Sequence, residues 1–138
     1  MEIISASLPS RFDVISDFIA KALEALKQRI ILTEQEIFDI KLVLEESITN
    51  AVKHGNKFNE KLEVRIEIFL EENLLTIEVR DQGPGFDVKK IPDPTKKEGL
   101  MRTSGRGVFL IKKLMDRVEY LGNGREIKMV KKLSKIAK

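Results

Sequence analysis

Apolar residues recur along this chain with two different periods. Phe12, Ile15, Ile19, Ala22, Leu23 and Leu26 follow the three- and four-residue steps of an amphipathic helix, and they predict a first helix opened by Pro9-Ser10. A second helix starts at Thr33, which pairs with Glu36 in a capping-box pattern satisfying the first exposed amides, and it runs to about His54. Its buried stripe is Ile37, Ile40, Leu44, Ile48 and Ala51, and Gly55 is expected to end it as a left-handed residue. Phe12, Phe18, Phe38 and Phe109 all fall at helical spacings and are expected in the core.

After Gly55 the period shortens to two. Leu62, Val64, Ile66 and Ile68 alternate with charged neighbours, and Leu75, Ile77 and Val79 do the same beyond Glu71-Glu72-Asn73, which predicts an antiparallel hairpin. From Asp81 to Gly105 the pattern gives way to glycine, proline and lysine for roughly two dozen residues, long enough to mark a functional loop. A third helix follows in "GVFLIKKLMD", then "RVEYL" and "REIKMVKKL" around Gly122-Asn123-Gly124 form a closing hairpin. With the β-like "EIISASL" at the start, the order is β-α-α-β-β-loop-α-β-β. The expected class is α+β: a two-layer sandwich in which three helices cover one face of a mixed, mostly antiparallel sheet.

Composition removes several chemistries. The 138 residues contain no cysteine and one histidine, which excludes disulfides, thiolate metal sites and a multi-histidine zinc site. A net charge of +3 is a weak electrostatic footprint and gives no reason to expect a nucleic-acid partner. The N-terminus lacks a signal-peptide pattern and no run of about 18 apolar residues occurs, so no membrane association and a cytoplasmic location are expected. Hydrophobic residues make up 42% of the chain, enough for the core of one domain spanning 1–138.

Three stretches carry chemistry. In "EESITNAVKHGN" Glu46, Asn50 and Lys53 fall at i, i+4 and i+7, so an acid and an amide project together from one helix face; a solvated polar edge would show the same spacing. Glu45, turned about 100° away, belongs to the surface, and His54 at the helix end has a structural place against the dipole. In "DQGPGFD" an aspartate ends a strand where it can accept a hydrogen bond from an exocyclic amine, and Gly83 and Gly85 let the backbone approach a flat ligand, or simply turn. In "TSGRGVFLI" Gly105 and Gly107 precede or open a helix whose amide donors suit phosphate. Neither the dinucleotide fingerprint nor a Walker lysine motif is present.

In this order the three stretches resemble the N box and the two glycine boxes of the GHKL superfamily of ATP-binding domains, the Bergerat or histidine-kinase-like ATPase fold. The form of the N box and the chain length are most like the bacterial anti-sigma factor serine/threonine kinases, which phosphorylate a STAS-domain anti-anti-sigma antagonist and hold a sigma factor inactive. The resemblance implies ATP and Mg²⁺ as cofactors, Asn50 as metal ligand and Glu46 as the catalytic acceptor of the serine proton. It implies that Asp81 reads adenine, with Gly83, Gly85 and Phe86 against the base. Lys53, Thr103, Ser104, Gly105, Arg106, Gly107 and Val108 would complete the nucleotide site, beneath a lid over about residues 87–104. It also implies a homodimer.

The chain departs from the family pattern at two points. Thr103 stands where some relatives place an arginine for the γ-phosphate, leaving Arg102 or Arg106 for that task, and Gly124-Arg125 replaces a frequent Gly-Thr. The C-terminal lysines are expected to be solvated. Alternatives within the resemblance are a nucleotide-gated binding module without turnover and a stand-alone ATPase or histidine-kinase-like lobe, although no phosphoacceptor histidine lies outside the N box.

Overall fold

The two periods produce two layers. The computed structural model describes residues 1–85 and 103–136, and for 103–106 the backbone path alone. Strand β1 (Glu2–Pro9) leads through a short 3₁₀ turn at Phe12–Val14 into α1 (Ile15–Lys27) and α2 (Glu34–Asn50). The hairpin β2 (Glu63–Glu71) and β3 (Leu74–Arg80) follows, then α3 (Thr103–Leu114) and the hairpin β4 (Arg117–Leu121) and β5 (Glu126–Lys132). The sheet order is β1-β2-β3-β5-β4, so the last strand lies between β3 and its own hairpin partner β4 and joins the two hairpins edge to edge. Every pairing among the described residues is antiparallel, in keeping with the expected two-layer α+β sandwich on a mostly antiparallel sheet.

Alternation in the strands gives the sheet one apolar face. Val64, Ile66, Ile68 and Leu70 of β2, Leu75, Ile77 and Val79 of β3, and Ile127 and Met129 of β5 point to the same side and are buried. The three helices cover that side, and Ile19, Leu26, Ile40, Leu44, Ile48 and Ile111 complete one continuous core. The opposite face carries charge, with Arg65 beside Glu67, Arg80 beside Glu126 and Arg117 beside Glu119. Among the described residues no helix is long and apolar enough to cross a membrane.

Capping follows the sequence at α2. The Thr33 hydroxyl accepts from the Glu36 amide at 3.0 Å and the Thr33 amide donates to the Glu36 carboxylate at 2.9 Å. The second Glu36 oxygen accepts from the Ser134 amide at 2.8 Å, which binds the residues after β5 to the start of α2. Burial alone would raise the Glu36 pKa, but the hydrogen bonds from Thr33 and Ser134 outweigh it and hold the carboxyl below its ordinary value.

Several expectations fail for identifiable reasons. Phe18 is buried, but Phe12, Phe38 and Phe109 are 48%, 60% and 39% exposed. Phe12 precedes the α-helical register and meets Phe58 edge-on at 4.9 Å, while Phe38 and Phe109 each lie one position past the buried stripe of their helix. Lys131 is not solvated: its ammonium lies 3.5 Å from Asp39 of α2 and donates to the Leu114 carbonyl at the end of α3, where a cation offsets the helix dipole.

Gly55 is not left-handed either. The last turn of the second helix widens over Ala51–Gly55 and closes with the Asn56 amide donating to the Ala51 carbonyl at 2.8 Å, an i→i+5 bond of the kind found at functional sites. Lys57 and Phe58, with φ of 51° and 60°, take the left-handed conformation instead.

Candidate functional site

The C-terminal half of α2 and the wide turn beyond it form the spine of the site. One helical turn separates Glu46 from Asn50, so both half-buried side chains lie on one face, and there they meet α3 at a glycine. A Cβ on Gly107 would stand 2.8 Å from Glu46 Oε2 and 3.1 Å from Asn50 Nδ2. A side chain there would have to push the ends of Glu46 and Asn50 aside. Glu45 is exposed, as its phase requires, and Val108 is buried beside Gly107. Gly107 lies in the second turn of α3 rather than ahead of it, because the helix already includes Thr103, Ser104, Gly105 and Arg106.

A second group of residues gathers where the wide turn meets the end of β3. Asp81 is only 8% exposed, and its Oδ1 accepts from the Gly83 amide at 2.8 Å. Gly55 lies so close to this carboxylate that a side chain there would collide with Oδ2, and a side chain on Gly83 would collide with the Gly55 carbonyl. This explains the glycine at position 55 better than helix termination does. Gly85 has φ +83°, and its missing side chain leaves room for the Asn123 carbonyl. Burial pushes the Asp81 pKa up, and the Gly83 amide and the nearby charge of Arg125 only partly counter it.

Two residues without a predicted role hold this arrangement. Asn56 is 2% exposed, and its amide donates to Ser10 Oγ and to the Glu63 carbonyl while its oxygen accepts from the Gln82 amide at 2.8 Å. It ties the strands beside Asp81 to the helix end. Arg125 is the other: its Nε donates to the Gly83 carbonyl at 2.7 Å. Nothing in the apolar pattern marks either residue, since both follow glycine in turns; only the Gly124-Arg125 departure pointed at one of them.

Other candidates lie apart. Lys53 is exposed, because the widened turn ends the α-helical phase that would have placed it under Asn50. His54 is exposed in the same turn, and its pKa is lowered by desolvation and by the nearby charge of Lys53. Phe86, Arg102 and most of the expected lid lie outside the described residues.

The donor chemistry fits a nucleotide with its metal. Asn50 and Glu46 offer hard oxygens, and Mg²⁺ takes only one or two such ligands besides phosphate and water. Among the described residues no group of three or more His, Cys, Asp or Glu offers a competing metal site. The glycines around Asp81 let the turn after α2, the end of β3 and the closing hairpin pack tightly about its carboxylate.

Comparison with known proteins agrees with this chemistry. A family model described as a histidine kinase-like ATPase domain matches residues 8–131. Over 135 residues the chain is 32% identical to the serine-protein kinase RsbW of Listeria monocytogenes serovar 1/2a, covering 93% of this chain and 85% of that protein. The RsbW protein of Listeria innocua serovar 6a is 31% identical over 140 residues, with the same coverage. The anti-sigma F factor of Bacillus cereus strain AH187 is 37% identical over 108 residues, covering 74% and 73%. With its family model spanning both glycine boxes and relatives of nearly its own length, the chain belongs to the histidine kinase-like ATPase domain family.

Proposed function

We propose that this protein is an ATP-dependent serine/threonine protein kinase and anti-sigma factor, whose substrate is a STAS-domain anti-anti-sigma antagonist. The observation that carries the proposal is the meeting of the Glu46 carboxylate and the Asn50 amide at Gly107 of the second glycine box. Relatives named as serine-protein kinase and anti-sigma factor support it.

Phosphoryl transfer asks a protein mainly for positioning and charge neutralisation. Mg²⁺, when bound, offsets the charge of the phosphate oxygens. Asn50 would hold that ion through its side-chain oxygen, and Glu46, one turn earlier, would accept the proton of the attacking serine or threonine hydroxyl. Asp81 accepts a hydrogen bond from the adenine amine, with Gly83 and Gly85 against the base. The amides at the N-terminal end of α3 receive phosphate oxygens, Arg102 or Arg106 serves the γ-phosphate, and the segment over 87–104 closes across the site and excludes water. The protein works as a cytoplasmic homodimer that captures a sigma factor while its antagonist is phosphorylated.

Incubation with labelled ATP and candidate STAS-domain proteins, with and without Mg²⁺, tests the proposal. A Mg²⁺-dependent phosphoserine or phosphothreonine is expected. Glu46→Ala should abolish transfer while nucleotide binding persists, and undiminished transfer in that variant would remove Glu46 from its role. Tight ATP binding with no phosphoprotein from the wild type would identify a nucleotide-gated binding module instead.

A further inference from the structure

Arg125 stands at the junction between the adenine-side loop and the closing hairpin. The pairing of Arg80 with Glu126 sets the ends of β3 and β5 side by side, and the Asp81 amide donates to the Arg125 carbonyl at 2.8 Å. From there the guanidinium turns back over the loop. Its Nε donates to the Gly83 carbonyl at 2.7 Å, one terminal nitrogen donates to the Pro84 carbonyl at 3.2 Å, and the other donates to the Gly122 carbonyl at 3.2 Å. Three carbonyls from two turns thus share one planar cation, whose fork geometry suits several acceptors at once. A threonine at this position has one short hydroxyl and reaches no such set.

We propose that Arg125 is a positioning residue of the nucleotide site, a clamp that fixes the Asp81–Gly85 loop in its base-receiving shape before any ligand arrives. This rests on the nucleotide-binding role proposed above. Three observations converge on the clamp. Gly83 is bonded at both ends, its amide to Asp81 Oδ1 and its carbonyl to Arg125 Nε, so the peptide that must lie against a base is held from two sides. Gly85 packs against Asn123, which belongs to the same turn that Arg125 braces through Gly122. The positive charge also stands close enough to favour ionised Asp81, which burial otherwise disfavours. A loop already in its bound shape binds without an ordering cost, so the clamp acts on affinity and leaves the transfer step untouched.

Arg125→Ala and Arg125→Lys separate the fork from the charge. In the nucleotide-free protein, hydrogen exchange at the Gly83 amide should quicken about tenfold in both variants, equivalent to about 1.4 kcal/mol of lost local protection. The Asp81 carboxyl, followed by carbon-13 NMR, should titrate at higher pH in the alanine variant and near the wild-type midpoint in the lysine variant. The KM for ATP should rise about tenfold in the alanine variant, equivalent to about 1.4 kcal/mol, with kcat within twofold of wild type. Unchanged Gly83 exchange and an unchanged Asp81 titration in folded Arg125→Ala would overturn the clamp. If both respond as expected while the wild type does not bind ATP, the clamp stands as loop bracing and the nucleotide role of the site falls.

Discussion

A bare Cα at position 107 is what brings Glu46 and Asn50 against the second glycine box, and its replacement separates stability from activity. Alanine is about 1 kcal/mol better than glycine inside a helix, so Gly107→Ala has a propensity gain to set against the crowding of Glu46 Oε2, the far end of a flexible side chain that can swing aside. The expected outcome is a melting temperature within a few degrees of wild type, together with at least a tenfold fall in phosphotransfer; full transfer in this variant would break the link between the glycine and the acid. Asp81 behaves similarly for an electrostatic reason. Its pKa is raised in the folded state, so the folded protein holds the proton more tightly, and the associated stability is present at low pH and lost as pH rises through the folded value. Ionised Asp81 therefore destabilises the fold at neutral pH. Asp81→Asn is expected to keep or raise the urea midpoint at pH 7 while weakening ATP binding at least tenfold, and a clear fall in the midpoint would contradict this. Spacing put Glu46 and Asn50 on one helix face and the family resemblance supplied their expected roles, whereas Asn56 was silent and Arg125 showed only as a departure, because their main partners are backbone groups brought near by the fold.

Among the elements, α2 was the most legible. Its capping box, its stripe from Ile40 to Ile48 and the shared face of Glu46 and Asn50 follow from a 3.6-residue period, which is local information. Glu36 adds a pH dependence that the local pattern did not contain. Its carboxyl sits below the ordinary value of 4.5, so its contribution is fully present above that pH and is lost as pH falls through the lower folded value. Glu36→Gln should flatten the acid limb of the stability curve measured by urea unfolding between about pH 5 and pH 3, and an unchanged limb would show that the Thr33 and Ser134 bonds do not act through the charge. The hairpins were equally readable from alternation. Gly55 was misread because glycine after a helix usually signals a left-handed end, whereas here the demand comes from Asp81, 26 residues further on.

Across the whole molecule, β5 joins everything. It is the strand of the second hairpin that pairs with β3 of the first, sends Lys131 to Asp39 and Leu114, and continues into Leu133, whose amide and carbonyl bond Asn73 at the tip of the first hairpin. Leu133 is 2% exposed, so Leu133→Ala is expected to destabilise by about 2–5 kcal/mol in chemical denaturation. A loss below about 1 kcal/mol would mean that the C-terminal segment merely rests on the sheet. The pairing of the last strand with β3 is long-range, and no sequence period specifies it. The widened turn at Ala51–Gly55 bears on chain length. An α-helical closure there would need one residue fewer, and deleting any one of the five would re-phase all that follows by about 100°, swinging Gly55 off Asp81 while Glu46 and Asn50 stayed in place. Substitutions on the outer side of this stretch are tolerable, but an indel is not: the count of five residues is itself what keeps the Glu46–Asn50 face of the helix and the Gly55–Asp81 contact in their present relation.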